Sequence, residues 1–230
     1  MPVFTQTRAL QIKSYSLQGL NSIKHIKHVH AALLRLGLNH DSFLLNRLLR
    51  YSFEIGETNY PCLVFSQIEE TNIILWNTMI RGLVSNNRFK ESIDFYHSMR
   101  ENGFLPNGLT FPFVLKTCVG LLDFQVGSKM HTLVLKMGFN HDVFVDTGLV
   151  NFYAGFGHIE CAFKVFADVP EKNMETWTPI INEYIRVGKR KEAIDMFRRL
   201  LEMGVRPDSF TLVRILSACI QIGDLRSGEW

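Results

Sequence analysis

The stretch WNTMIRGLVSNNRFKESIDFYHSMRENGFLPN, residues 76–107, decides the fold. Apolar residues three or four apart in its first half have the spacing of one face of an α-helix, and a second stripe of the same kind follows Asn86-Asn87, which predict a turn. Gly103 suits the left-handed residue that ends a helix, and Pro106 blocks its continuation. The stretch therefore predicts two helices joined by a short turn. The two stripes are Trp76, Met79, Ile80, Leu83 and Val84, then Phe89, Ile93, Tyr96 and Met99.

The whole sequence falls on itself when it is shifted by 101 residues, with no gap. A pair of helices cannot bury its apolar stripes alone, so an internal repeat of such pairs predicts an all-α array of stacked helix-turn-helix units with a continuous core. The matched pairs include GLNHD at 37–41 with GFNHD at 138–142, KESID at 90–94 with KEAID at 191–195, Trp76 with Trp177, Gly103 with Gly204, and Pro106 with Pro207.

The 101-residue period divides into segments of 31, 35 and 35 residues, each of which predicts two helices. The predicted boundaries are 22–41 for a partial segment, 42–72, 73–107, 108–142, 143–173 and 174–208 for complete segments, and 209–230 for a segment that is cut off. Residues 1–21 are basic and contain serine, so they leave two interpretations open, an organellar transit peptide or a degenerate first helix.

Charge and composition restrict the functions that remain. Residues 1–40 contain five basic residues and no acidic one, and the rest of the chain carries 20 basic and 22 acidic residues. This balance argues against a nucleic-acid clamp held mainly by phosphate contacts, so any nucleic-acid binding should rely more on bases. The four dispersed cysteines predict buried thiols in a reducing compartment. No apolar run is long enough for a transmembrane helix.

The repeated stretches resemble the motifs of plant pentatricopeptide repeat (PPR) proteins. The alternation of segment lengths is similar to the PLS subclass, with 42–72 and 143–173 as S motifs, 73–107 and 174–208 as P motifs, and 22–41, 108–142 and 209–230 as L motifs. The resemblance implies a right-handed α-α superhelical solenoid with first helices along its concave face. A tetratricopeptide-like protein-protein interaction scaffold is the alternative, but that repeat has a uniform period of about 34 residues.

In the PPR family the fifth and closing residues of a repeat read one RNA base together. Carried onto this sequence, the resemblance implies pyrimidine, pyrimidine, an unread position, A and G, in 5′ to 3′ order. The unread position is 108–142, because the ring of Pro112 offers a base no polar group. The predicted reading pairs are Asn46 with Asn72, Asn77 with Asn107, Pro112 with Asp142 (weak), Thr147 with Asn173, and Thr178 with Asp208.

The second residue of each repeat is implied to sandwich bases. The residues in this role are Phe43, Ile74, Leu109 and Phe144. Glu175 occupies the equivalent place in 174–208 and departs from the pattern, which puts the stacking contribution of that segment in doubt.

No constellation of residues predicts catalysis, a metal or a cofactor. His158-Ile159-Glu160 matches half of a zinc-deaminase signature, but no C-x-x-C follows it. His25, His28 and His30 do not have the HxxxH spacing of a helical metal site. Trp76 and Trp177 are predicted to be core residues.

The sequence therefore predicts a non-enzymatic binding module for single-stranded RNA, about one base per repeat. The resemblance implies a mitochondrial or chloroplast transcript, C-to-U editing or processing as the purpose, and editing-complex proteins as possible partners; a membrane or a small-molecule substrate is not expected. Because residue 230 interrupts a segment, we expect a longer protein in which any E/DYW effector domain follows this chain.

Overall fold

A computed structural model describes residues 22–222, so the predictions for residues 1–21 and for the end of the last segment lie outside the described part. Within residues 22–222 there are twelve helices and no strands, which confirms the predicted all-α fold. None of these helices is long and apolar enough to cross a membrane. The chain divides into two compact units between Pro106 and Asn107.

The N-terminal unit is a stack of helices in which each apolar stripe faces a neighbour. Helices α2 and α4 pack against each other, while α3 and α5 each pack on the helix that precedes them. Leu48, Leu49, Met79 and Ile80 are fully buried in this layer of α2 and α4. The described helices of the unit are α1 (Ile23–Arg35), α2 (Ser42–Glu54), α3 (Asn59–Phe65), α4 (Ile73–Ser85) and α5 (Phe89–Glu101).

The C-terminal unit repeats the same arrangement. Helices α6, α8, α10 and α12 pack in series, and α7, α9 and α11 each contact the helix that precedes them. The helices of this unit are α6 (Thr110–Leu121), α7 (Phe124–Lys136), α8 (Val143–Gly155), α9 (Ile159–Asp168), α10 (Met174–Arg186), α11 (Arg190–Glu202) and α12 (Ser209–Ile222). We call α2, α4, α6, α8, α10 and α12 the first helices, because each opens one of the segments that the sequence defines.

The predicted turns and helix ends lie where the sequence places them. Helix α4 ends at Ser85, and Asn87 adopts a left-handed φ of 58° before α5 begins at Phe89. Asparagine tolerates this conformation better than most side chains. Gly103 and Gly204 have φ values of 83° and 72°, as expected for glycines that terminate a helix.

The two tryptophans are core residues, as predicted, and each packs against a matching phenylalanine in its own unit. Trp76 lies 4.7 Å from Phe65 between ring centroids, and Trp177 lies 4.7 Å from Phe166, both in edge-to-face geometry. This geometry is favourable for aromatic pairs beyond the area that they bury. The sequence repeat therefore extends to the packing of the core.

The cysteine prediction is only partly correct. Cys118 and Cys219 are buried and Cys62 is half-buried, but Cys161 is exposed. Desolvation raises the pKa of Cys118 to about 12, so its thiol is protonated and inert at neutral pH. Cys161 lies in the first turn of α9 with its side chain towards solvent, so the prediction of a buried thiol was wrong there.

Candidate nucleic-acid interface

Apolar side chains recur at one exposed position of the first helices. The second residue of a segment is apolar and has 57–66% of its surface exposed in five segments; it lies in the first helix in four of them and just before α6 in the fifth. Single exposed apolar residues are common, but repetition at one equivalent position marks a binding surface. These residues are Phe43 and Ile74 in the N-terminal unit, and Leu109, Phe144 and Phe210 in the C-terminal unit.

Phe210 is a member of this set that the sequence analysis missed. It opens α12 as the second residue of 209–230, and the 101-residue shift could have identified it by its match with Leu109. The Arg214 guanidinium lies 5.5 Å from the centre of its ring, as the Arg47 guanidinium lies 5.8 Å from that of Phe43. Glu175 is exposed at the same position of α10.

The closing residue of each segment caps the next first helix. Asn and Asp are favoured there because the side-chain oxygen accepts a hydrogen bond from a backbone N–H that has no partner within the helix. In the N-terminal unit, Oδ1 of Asn72 accepts from the N–H of Leu75 at 3.0 Å. In the C-terminal unit, Oδ1 of Asn173 accepts from Thr176 at 3.2 Å, and Oδ1 of Asp208 from Thr211 at 2.7 Å.

Asn107 and Asp142 each accept from two backbone N–H groups. Asp142 is the N-cap residue of α8, whereas Asn107 lies two residues before Leu109, the N-cap residue of α6. Oδ1 of Asn107 accepts from the N–H groups of Leu109 and Thr110 at 3.1 and 3.2 Å. Oδ1 of Asp142 accepts from Phe144 and Val145 at 3.0 and 3.1 Å. The cap therefore fixes the orientation of every closing side chain from Asn72 to Asp208.

The predicted fifth residues lie one turn into the first helices, and their burial differs. Asn46, Thr147 and Thr178 are half-buried, whereas Asn77 has only 8% of its surface exposed. The Oγ1 of Thr78 donates to Oδ1 of Asn46, which joins α4 to α2 at this level. Asn77 is thus less accessible than its place in the sequence pattern suggests.

The two threonines make different contacts within the C-terminal unit. The hydroxyl of Thr147 donates to the carbonyl of Val143 in its own helix at 2.6 Å. The hydroxyl of Thr178 lies 3.4 Å from that of Thr211 on α12. Each hydroxyl retains lone pairs, since a hydroxyl can accept two hydrogen bonds while it donates one.

Pro112 has a structural explanation. It is the third residue of α6, where the backbone N–H would have no partner within the helix, so proline costs little. A Cβ added to Gly148 of α8 would lie 3.0 Å from the Cα of Pro112. Pro112 therefore packs closely against the next first helix.

The histidines of the N-terminal unit do not assemble a metal site. His25 and His28 are exposed, while Nδ1 of His30 is hydrogen-bonded to the hydroxyl of Tyr60 at 2.8 Å. His131 pairs with Tyr153 in the same way at 2.7 Å, and burial lowers the pKa of both His30 and His131. Among residues 22–222, no three His, Cys, Asp or Glu side chains are grouped to hold a metal ion.

His158-Ile159-Glu160 lies at the start of α9. His158 is the residue before the helix and its ring packs against Phe124 at 4.6 Å, so it belongs to the contact between α7 and α9. His141 and Asp142 lie in the loop that precedes α8, where Asp142 caps the helix.

Asp146 of α8 is a buried carboxyl beside one of the predicted reading residues. Its side chain is buried and its Oδ2 has no hydrogen-bond partner. Burial raises the pKa of Asp146 to about 6, His141 opposes the rise, and Asp142 and Asp168 add to it. The carboxyl lies next to Thr147 but on the buried side of α8.

Comparison with known proteins places these features in a family. Residues 71–120 and 172–221 match the PPR repeat family. A pentatricopeptide repeat-containing protein of Arabidopsis thaliana is 42% identical over 209 residues, which cover 91% of this chain and 30% of the relative. A second protein of that description from the same plant is 33% identical over 217 residues, which cover 92% of this chain and 36% of the relative. The matched segments are PPR repeats, and plant pentatricopeptide repeat proteins are homologues of this chain.

The fold is also that of a solved PPR protein. The crystal structure of PPR10 in complex with an 18-nt psaJ RNA element has a TM-score of 0.66 at 15% identity, over 81% of this chain and 29% of PPR10. A crystal structure of PPR10 from maize has a TM-score of 0.64 at 13% identity, over 98% of this chain and 35% of that one. The chain spans about a third of the length of the relatives that it matches.

Proposed function

We propose that this chain binds single-stranded RNA through its first helices, with about one base per segment. The observation that carries the proposal is the recurrence of an exposed apolar side chain two residues after an Asn or Asp whose side chain accepts from the backbone of the next first helix. Three of these side chains, those of Phe43, Phe144 and Phe210, are aromatic rings, which can stack on any base. The polar group beside each ring can read the edge of the same base.

The cap supplies a physical reason why Asn and Asp should prefer different bases. In each cap an oxygen already accepts from the backbone, so Asn173 presents its amide nitrogen, a pure donor, and Asp208 presents its second oxygen, a pure acceptor. Hydrogen bonds from Thr211 lower the pKa of Asp208, which keeps it ionised.

The four bases differ in whether the Watson–Crick edge offers a donor or an acceptor at its ring nitrogen. The ring nitrogen of that edge carries a hydrogen in G and U and a lone pair in A and C. A donor from Asn173 therefore suits A or C, and an acceptor from Asp208 suits G or U. With Thr147 and Thr178 as the fifth residues, we assign A to 143–173 and G to 174–208.

The N-terminal assignments follow the same chemistry. Asn72 presents its amide nitrogen from a cap of the same kind. Oδ1 of Asn46 already accepts from Thr78, so Asn46 presents its amide nitrogen and the second lone pair of that oxygen to a pyrimidine. We assign pyrimidines to Asn46 with Asn72 and to Asn77 with Asn107, although a base can reach only the small exposed part of Asn77. The position of Pro112 with Asp142 stays unread.

The cellular role belongs to the same proposal. We infer that the target is an organellar transcript, read for C-to-U editing or processing by a longer protein of the PLS subclass, with editing-complex proteins as partners. One Arabidopsis thaliana relative, 34% identical over 91% of this chain, is named chloroplastic/mitochondrial, and another, 28% identical over 92%, is named mitochondrial. No catalytic step is assigned to this chain.

Stacking can be tested with one exposed phenylalanine. Phe144→Ala should weaken binding to RNA that carries the pyrimidine-pyrimidine-N-A-G element by about 5- to 150-fold, since one base–aromatic stack contributes about 1–3 kcal/mol. Fluorescence anisotropy with a labelled oligonucleotide measures the change. Leu135→Ala, which removes an equally exposed side chain from α7, is the matched control and should bind normally.

Two outcomes would overturn the proposal. One is equal loss of affinity in Phe144→Ala and Leu135→Ala. The other is wild-type protein that binds a peptide in the presence of excess RNA and shows no affinity for single strands, which would favour a tetratricopeptide-like scaffold.

A further inference from the structure

The exposed face of the first helices carries a second equivalent position, the ninth residue of each segment. It follows the second residue by seven positions, roughly two helical turns, so both residues lie on one face. The ninth residue is half-buried in α10 and exposed in the other first helices of residues 22–222. In chain order these residues are Arg50, Arg81, Lys116, Asn151, Asn182 and Ser217.

Charge on this face is unevenly distributed. Both ninth residues of the N-terminal unit are arginines, and Arg47 adds a third cation to α2 against the single carboxylate of Glu54. In the C-terminal unit, α6 and α12 carry one cation each, Lys116 and Arg214. Helix α8 has only the buried Asp146, and α10 carries the exposed Glu175 together with the ion pair between Glu183 and Arg186. The nearly even charge of the chain after residue 40 conceals this local excess of positive charge.

The two arginines lie beside the predicted base-reading residues. Arg50 and Arg81 each follow a fifth residue, Asn46 or Asn77, by four positions, which is one helical turn. The hydrogen bond from Thr78 to Asn46 shows that α2 and α4 touch at the level of the fifth residues. The arginines therefore lie on adjacent helices, one turn beyond the predicted base-reading residues.

The contacts of Arg50 leave it able to bind an anion. Its Nε lies 3.1 Å from Oε1 of Glu54, and both side chains are about half exposed, at 55% and 51%. Exposed ion pairs of this type contribute little to stability, because water competes for both charges. A guanidinium presents five donors, and the pair with Glu54 engages the Nε edge.

We propose that Arg50 and Arg81 bind the phosphates of the RNA strand, so that the electrostatic part of binding is concentrated in the N-terminal unit. This inference rests on the proposed function, because it assumes that bases occupy the neighbouring face. A strand whose bases stack on Phe43 and Ile74 must carry its backbone along one side of them. Phosphates carry no sequence information, so these arginines set affinity and leave base preference unchanged.

The dependence of affinity on salt tests this inference. Each lost phosphate contact lowers the slope of log K against log salt by about 0.7 for a single strand. The double variant Arg50→Gln/Arg81→Gln should therefore lose about 1.4 from the slope. Between 50 and 200 mM KCl its affinity should fall about sevenfold less than that of the wild type.

Two control variants distinguish the effect of a cation at the ninth position from the effect of the net charge of the chain. Arg100→Gln removes an exposed cation from α5, away from the first helices, and should leave the slope unchanged. Asn151→Lys adds a cation at the ninth position of α8 and should raise the slope by about 0.7. The probe is the pyrimidine-pyrimidine-N-A-G oligonucleotide, measured for every variant across the same salt series.

The outcomes distinguish the two proposals. If the double variant has the same slope as Arg100→Gln while the base preference of the wild type persists, the phosphate assignment is wrong and the proposed function stands. If the wild type binds no single-stranded RNA, both fail. If polyglutamate competes as well as RNA, the arginines serve an acidic peptide and the phosphate assignment is overturned.

Discussion

At the scale of single residues, one tight contact of the N-terminal unit sets a limit on substitution. In the N-terminal unit, Phe53 of α2 lies over Gly82 of α4, where an added Cβ would come within 2.1 Å of the ring. The residues that match this pair 101 positions later are Ala154 and Glu183, a small residue on α8 and a large one on α10. The close approach of a ring to a glycine is therefore not repeated by the matching residues.

Gly82→Ala should therefore destabilise the chain although alanine is the better helix former. Overpacking of a well-filled core costs about 1–3 kcal/mol, against a gain of about 1 kcal/mol in helix propensity. Urea denaturation measures the free energy of unfolding. In the Phe53→Ala background the same change should be neutral or stabilising, and an equal cost in both backgrounds would contradict the packing account.

Asp146 should make stability depend on pH in an unusual direction. Burial holds the pKa of Asp146 near 6 in the folded chain, above the value of 3.8 for a free aspartate. The native state then retains this proton to higher pH than the unfolded state, so this contribution to the free energy of unfolding falls between about pH 4 and 6 and is flat above. Its full size is at most about 3 kcal/mol.

Asp146→Asn removes that contribution. The variant should be more stable than the wild type at pH 7, and the difference should vanish below about pH 4, where both side chains are neutral. Thermal denaturation across pH 4–8 measures the difference. A constant offset between the two proteins over that range would show that Asp146 does not change its protonation on unfolding.

At the scale of the helix, one residue serves two purposes. Each closing Asn or Asp caps the next first helix, so its type is constrained by folding before any RNA is considered. The sequence pattern predicted these residues as base readers by family resemblance, and the structure adds the cap contacts. Asn and Asp satisfy the cap equally well, so the choice between them is open to another requirement.

The capping role and the base-reading role of a closing residue can be measured separately at Asn173. Asn173→Asp should keep the cap of α10, with unfolding free energy within about 0.5 kcal/mol of the wild type. It should move the base preference of 143–173 from A towards G, because the donor becomes an acceptor. Asn173→Ala should instead cost about 1 kcal/mol of stability through loss of the cap. Retention of A by Asn173→Asp would show that the residue is a cap alone.

At the scale of the molecule, the features that the sequence predicts correctly are those that recur from segment to segment. The helix pairs, the turn at Asn86-Asn87, the glycine ends and the tryptophan core depend on local spacing and on repetition, and all are found in the structure. Burial of Asn77 and exposure of Cys161 could not be read in this way. They depend on which side chains neighbouring segments bring opposite one another, as Thr78 and Asn46 show across 32 residues.

The interface was predictable to the same extent. Second and closing residues could be named because they recur at fixed positions, and the match of Phe210 with Leu109 was available from the same shift. The cap contacts could not be predicted from the sequence, because they depend on how the backbone turns before each first helix. The clustering of arginines at the ninth position is visible in the sequence only once the exposed face of the helix is known.

The most direct test of the account exchanges the fifth residues. RNAs varied at each of the five positions are titrated with the wild type, Asn77→Thr and Thr178→Asn. We predict that the first variant shifts its own position from pyrimidine towards A, and that the second shifts its own position from G towards U, with the other positions unchanged. If both variants keep the wild-type preference at every position, these segments do not read bases through their fifth residues, and the central claim is wrong.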